Sequence, residues 1–168
     1  LRKAIDELRK EVVSEPYFKG VPSMRKTAEV FHAKDDIPEV RERVYKLLVQ
    51  LDFTAEFIIA RKKEEIFRKR HKAKENIFYD DLVAKLFENK LHGAERNVIY
   101  FAVRGNKLRQ APLSDAIQTA ILTFEKKWKK KVNSEVEILP QTPTGEPCLQ
   151  IIDYMNWAVQ RAFQKGED

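Results

Sequence analysis

A single cysteine, Cys148, leaves nothing within the 168 residues to cross-link it to. That excludes an internal disulfide framework and a multi-cysteine zinc site, and it makes a reducing, cytoplasmic setting the expectation. Long apolar runs are missing too. No stretch approaches the roughly 20 apolar residues of a membrane span, and no signal-peptide pattern is present, so no membrane partner is expected. Glycine is sparse, at five residues, and the phosphate-cradling and nucleophile motifs built on it are absent: there is no Walker loop, no GxGxxG and no GxSxG. "VRGNKLRQ" (103–110) holds one glycine and reads as a turn, not a phosphate cradle.

What the chain does have is charge. Lysine and arginine number 32 against 26 aspartates and glutamates, a net charge of +6, with 43% apolar residues. The length and composition predict one globular domain with a real core. The positive surplus has two explanations that stand side by side, a solvated surface and an acidic partner such as nucleic acid. "RKKEEIFRKRHKAKE" (61–75) is mixed in sign and reads as a solvated helical face with i,i+4 pairs. Together with "KKWKKK" (126–131) its surplus also suits a phosphate backbone. Trp128 falls on the apolar stripe of its helix, which argues against a base-stacking platform.

Apolar spacing predicts the elements. Leu1, Ala4, Ile5, Leu8 and Val12 place a helix over 1–13. "TAEVFHAKDD" (27–36) reads as a short extended stretch. Pro38 opens a helix with the stripe Val40, Val44, Leu47, Leu48 and Leu51. "AEFIIARK" (55–62) reads as a strand. A helix follows Asp80 and Asp81, with Leu82, Val83, Leu86, Phe87 and Leu91 as its face and Gly93 as its stop. "NVIYFAV" (97–103) is the clearest strand. Ser114 is the expected N-cap of a long helix bearing Ile117, Ile121, Phe124 and Trp128, and "SEVEILP" (134–140) is a last strand before the helix that begins in "EPCLQIID". From residue 55 the order alternates strand and helix, which predicts an α/β fold with a partly parallel sheet. The first residue, Leu1, already lies in a helical pattern, so the expectation is a single domain whose N-terminal part is missing.

Asp153 is the residue that raises the question of function. On a helical wheel the apolar face comprises Leu149, Ile151, Ile152, Met155, Ala158, Val159, Ala162 and Phe163, and Asp153 stands at its edge with Gln150, Trp157 and Gln160. A carboxylate at that boundary needs a proton, a hydrogen-bond donor or a cation. One reading makes it a water-facing acid that favours the helix dipole. The other makes it a ligand for Mg²⁺ or Mn²⁺, ions held by one or two carboxylates together with phosphate oxygens.

"FHAKDD" (31–36) followed by "VR", then the strand and helix series, then "LQIIDYMNWA" (149–158), resembles a bacterial family catalogued as a domain of unknown function, DUF3800, across essentially all of the chain. The resemblance implies a ribonuclease H-like fold, a mixed sheet flanked by helices. Asp153 matches the family's C-terminal helix acid, Gln150 its neighbouring amide and His32 its histidine; Glu29 stands three residues before His32. The family's opening Asp-Glu-Ser-Gly strand is not in this chain, and where an acid often lies on the strand matching "NVIYFAV" the sequence reads Phe101-Ala102-Val103.

The resemblance implies a metal-dependent nuclease or related phosphodiester-processing protein, with Asp153 as the Mg²⁺ or Mn²⁺ ligand and His32 and Glu29 beside it as catalytic groups. Gln150 and Lys34 are the expected substrate-binding residues. His32 suits acid–base work because an imidazole titrates near neutrality. Asp35 and Asp36, just before Pro38, read more simply as helix-start residues, and His71 and His92 have no neighbours at metal-ligand spacing. Lacking the opening acid, the 168 residues alone are expected to be inactive. The alternative from another class is a non-catalytic nucleic-acid- or protein-binding module that keeps the fold; a structural subunit of a larger assembly is a third.

Overall fold

The computed structural model describes residues 1–103 and 110–165. The chain forms two compact units. One joins Leu1–Ala55 to the stretch from Gln141 onward, and the other is Glu56–Pro140, threaded between those two stretches of sequence.

The first unit is helical. Helix α1 (Arg2–Ser14) buries Ile5 and Val12, seven residues and two turns apart, and ends where Glu15 turns extended ahead of Pro16. A 3-10 turn (Pro16–Phe18) and one turn of helix, α2 (Met24–Thr27), follow. Helix α3 (Pro38–Leu48) has Pro38 in its first turn, Glu39 near its positive end and Lys46 near its negative end, and buries Val40, Val44 and Leu48 at four-residue steps. Helix α7 (Cys148–Lys165) closes the unit. Its Ile151 and Tyr154 join Ile5, Val12, Phe31, Val40 and Val44 in one apolar core.

The second unit contains α4 (Glu64–His71), α5 (Glu75–Phe87), strand β1 (Arg96–Ala102), α6 (Gln110–Trp128) and strand β2 (Glu135–Gln141). The two strands form a parallel pair joined by the α6 crossover, the connection parallel strands require. Ile99 and Phe101 of β1, with Val136 and Ile138 of β2, alternate onto the core side, where Val83, Ala84, Leu113, Ala116 and Ile117 pack. The architecture is α/β, with a sheet of two strands among the described residues. No helix among those residues is long and apolar enough to cross a membrane.

Several expectations need correcting. "AEFIIARK" is not a strand: residues 52–63 form no regular element, and Phe57, Ile58 and Ile59 are exposed. A β-prone run becomes a strand only beside a partner that takes its backbone hydrogen bonds and covers its side chains. "TAEVFHAKDD" is not extended at its start, because Ala28 and Val30 donate backbone hydrogen bonds to Met24 and Lys26 and prolong the α2 turn. Helix α5 starts at Glu75, placing Asp80 and Asp81 within it, and it ends at Phe87, well short of Gly93. Ser114 lies inside α6 rather than capping it. The turn expected in "VRGNKLRQ" falls largely on residues 104–109, outside the described residues.

The face of α7 is also displaced from the wheel. Gln150 and Tyr154 are fully buried, whereas Ile152 is 50% and Phe163 68% exposed. A count of apolar residues misplaces the face because buried polar groups with partners pack as well as apolar ones. The neighbouring isoleucines test this. We expect Ile151→Ala, at 4% exposure, to cost about 2–5 kcal/mol. Ile152→Ala should change stability by no more than about 0.5 kcal/mol, with both read by urea unfolding.

Candidate functional site

The "FHA" segment lies against α7 in the first unit. Three consecutive backbone amides, those of Phe31, His32 and Ala33, donate to three side chains: to Gln150 Oε1 at 3.0 Å, Asp36 Oδ2 at 2.8 Å and Asp153 Oδ2 at 2.8 Å. The segment has no helix or strand partner for these groups, so side chains supply the acceptors that buried amides need. Gln150 is satisfied on both ends, accepting from Arg9 Nη1 at 2.8 Å and donating Nε2 to the Pro143 carbonyl at 2.7 Å.

Asp36 is the centre of this arrangement. It is 3% exposed and accepts from Thr27 Oγ1 at 2.6 Å, from Tyr154 Oη at 2.6 Å and from the His32 amide. The expectation that it merely opens α3 is therefore corrected: it is a buried carboxylate held by three donors, the condition under which burying such a charge is tolerable. Asp35 keeps an exposed position and pairs with Lys26 at 3.3 Å, a hydrogen bond and charge that lower its carboxyl. Arg41 donates to the Ala33 carbonyl at 3.2 Å and to the Asp36 carbonyl, fixing the loop from its other side. Its guanidinium lies over the Trp157 ring at 5.1 Å, and that of Arg161 at 4.6 Å.

His32 and Asp153, 121 positions apart, come together here. The imidazole Nε2 stands 3.8 Å from Asp153 Oδ1, and both side chains are partly exposed, at 46% and 36%. That distance is beyond a direct hydrogen bond but close enough for a cation or a water to bridge the two groups. Asp153 thus divides its oxygens: Oδ2 anchors the loop and Oδ1 faces the imidazole. Glu29 is exposed on the turn after α2, and Lys34 is exposed on the "FHAKDD" loop. Among the described residues no group of three or more His, Cys, Asp or Glu side chains gathers to hold a metal, so Glu29 does not join His32 and Asp153 as a third ligand.

Other titratable groups fall elsewhere. Cys148 is half-buried, and burial followed by the nearby Glu146 carboxylate raises its thiol above the usual range, the opposite of an activated nucleophile. In the second unit His71 is buried, with Nε2 3.3 Å from Asp81 Oδ2 and Nδ1 lacking a hydrogen-bond partner among the described residues. His92 stacks on Phe124, centroids 4.4 Å apart. Trp128, expected on the buried stripe of α6, is 58% exposed. Charge divides unevenly: the second unit carries 19 lysines and arginines against 12 acids, the first 13 against 14.

Sequence reasoning missed Asp36 and Tyr154. Nothing in the pattern ties two residues 118 positions apart; the one hint is a tyrosine three residues after Ile151, on the same side of α7. Compared with protein-family models, with curated proteins and with solved structures, the chain matches none.

Burial, and then the hydrogen bond to Asp36, push the Tyr154 phenol far above its ordinary value; burial also raises that of Tyr45, whose hydroxyl donates to the Tyr154 carbonyl at 3.0 Å. The fold favours both protonated phenols. Their contribution is therefore complete below the unfolded pKa of about 10 and is lost as pH rises above it. A near-ultraviolet phenolate titration should show these two of the five tyrosines ionising only as the protein unfolds in alkali. Tyr154→Phe should cost about 1–3 kcal/mol at neutral pH by removing a donor from a buried carboxylate, and should flatten the alkaline loss of stability.

Proposed function

We propose that this chain supplies the His32–Asp153 corner of a metal-dependent phosphodiester-processing site, a nuclease of ribonuclease H-like type. The observation that carries the reading is the convergence of two short motifs, "FHA" and "LQIID", singled out at opposite ends of the sequence: Phe31, His32 and Ala33 lie on Gln150, Asp36 and Asp153. The resemblance to DUF3800 names the same two motifs.

The residues fit a divalent ion in part. Asp153 Oδ1 is a partly exposed carboxylate oxygen not used by the loop amides, and Mg²⁺ or Mn²⁺ is commonly held by one or two carboxylates with the remaining positions left to water and substrate phosphate. When bound, the ion would neutralise charge building on the phosphodiester. His32, beside it, is placed to give or take a proton at Nε2. Gln150 is a loop anchor, since its amide is wholly engaged within the protein, so substrate contact falls to Lys34 at the exposed rim of the same loop.

A second reading, a nucleic-acid-binding module without catalysis, draws on the surplus of positive charge in the second unit and on the carboxylate-free run Phe101-Ala102-Val103. The two readings separate at Asp153. Asp153→Asn retains an oxygen to accept the Ala33 amide while removing the charge, so it preserves the loop and abolishes the cation ligand.

We expect Mn²⁺ to broaden the His32 ring resonances of the wild-type protein selectively, and not those of Asp153→Asn. Where cleavage of labelled DNA or RNA is measured, it should require the ion and fall about a hundredfold or more in His32→Ala and in Asp153→Asn. Undisturbed His32 resonances in Mn²⁺, or cleavage that persists in EDTA, would overturn the assignment.

A further inference from the structure

The C-terminal end of α6 presents a combination that its own helix does not explain. Lys126, Lys127, Lys129, Lys130 and Lys131 surround Trp128 in sequence. Cations at a helix C-terminus are accounted for by the helix dipole. An indole left 58% exposed among them is not. The α6 stripe of Leu113, Ala116, Ile117, Ala120 and Phe124 is buried without it.

The ring is nevertheless held in place. Its Nε1–H donates to Asn89 Oδ1 at 3.3 Å, and Lys127 Nζ stands 5.7 Å from the ring centroid while pairing with Glu88 at 3.1 Å. Lys131 pairs with Glu125 at 3.2 Å. Lys126, Lys129 and Lys130 are exposed and have no acidic partner among the described residues. Lys129 adopts a left-handed φ of 53°, which ends the helix directly after Trp128 with a residue other than the usual glycine. The site belongs to the unit that carries the positive surplus, 19 basic against 12 acidic residues.

We propose that Trp128, with Lys126, Lys129 and Lys130, is a docking platform for single-stranded nucleic acid, the indole stacking on an unpaired base and the three lysines neutralising adjacent phosphates. Base–aromatic stacking tolerates any sequence because every base has a π-face, and a positive groove or rim tracks the backbone. A duplex covers the faces of its bases and offers the ring nothing to stack on. The run 126–131 contains no apolar side chain besides Trp128, so it lacks the apolar belt of a helix that lies in a bilayer surface. The proposal rests on nucleic acid being the substrate of the proposed function, and it adds the form of that substrate.

The test is binding of oligothymidylate of about 16 nucleotides, measured in EDTA so that cleavage plays no part. The chain has two tryptophans, so a Trp157→Phe background isolates Trp128 fluorescence; anisotropy of a labelled oligonucleotide with the wild-type protein gives a reading independent of that variant. We expect quenching of Trp128 on binding and an affinity that falls with a log–log salt slope near −2 for three phosphates. Trp128→Ala should weaken binding about tenfold, and Lys126, Lys129 and Lys130 changed together to Gln should flatten the salt slope.

Unquenched Trp128, unchanged binding in Trp128→Ala, equal affinity for a duplex of the same length, or tighter binding to anionic phospholipid vesicles would each overturn the platform. Asp153→Asn separates this proposal from the catalytic one: it should leave oligonucleotide binding in EDTA unchanged, whether or not it abolishes cleavage.

Discussion

Three adjacent amides with nowhere else to go set the arrangement of the first unit. Phe31, His32 and Ala33 cross from the α2 turn toward α3 without belonging to a helix or strand, yet Phe31 and Ala33 are buried. Leaving such amides unpaired would cost about 1–3 kcal/mol each. Gln150, Asp36 and Asp153 accept them, and the two buried acceptors, Gln150 and Asp36, are supported in turn. Tyr154 and Thr27 donate to Asp36, and Arg9 donates to Gln150. One short loop thereby ties α7 to α1, α2 and the start of α3 through polar contacts, beside the apolar core that the same helices share.

That dependence explains what could be read in the sequence and what could not. The stripes of α1 and α3 were legible because burial there follows residue type: Ile5 with Val12, and Val40, Val44 and Leu48, are both apolar and inside. The two strands were legible because Ile99 and Phe101, like Val136 and Ile138, alternate onto one side. The buried face of α7 was not, since its most deeply placed members include Gln150 and Tyr154, whose burial is set by partners more than 100 positions away. "AEFIIARK" misleads in the opposite sense. Its composition suits a strand, but a strand is a relation between two segments, and no backbone partner takes the backbone groups of residues 52–60 among the described residues.

The net charge of +6 conceals a division of the same kind. Averaged over the chain it is a mild surplus; by unit it becomes nearly neutral against strongly positive. A linear scan does not find that division, because the second unit is inserted into the first, and of its two junctions only the later one, at "QTPTGEP" (141–147), has the composition of a loop. Trp128 follows the same logic. Its spacing places it on the stripe of α6, but the helix ends at that residue, and a stripe position on the last turn has core beneath it only if the core extends that far.

Asp153 was offered two mutually exclusive roles by the sequence, a solvated helix acid or a ligand in a site. Its two oxygens are placed differently: Oδ2 accepts the Ala33 amide and Oδ1 stands toward the His32 ring. The Ala33 amide fixes the rotamer of the carboxylate and thereby the position of the oxygen that remains. The same logic applies to His32, whose backbone is pinned by Asp36 while its ring stays partly exposed. The buried hydrogen bonds of the loop therefore determine where the two exposed groups meet. A disturbance at Asp36 or Tyr154, neither of which faces solvent, would reach the His32–Asp153 pair through the backbone of His32.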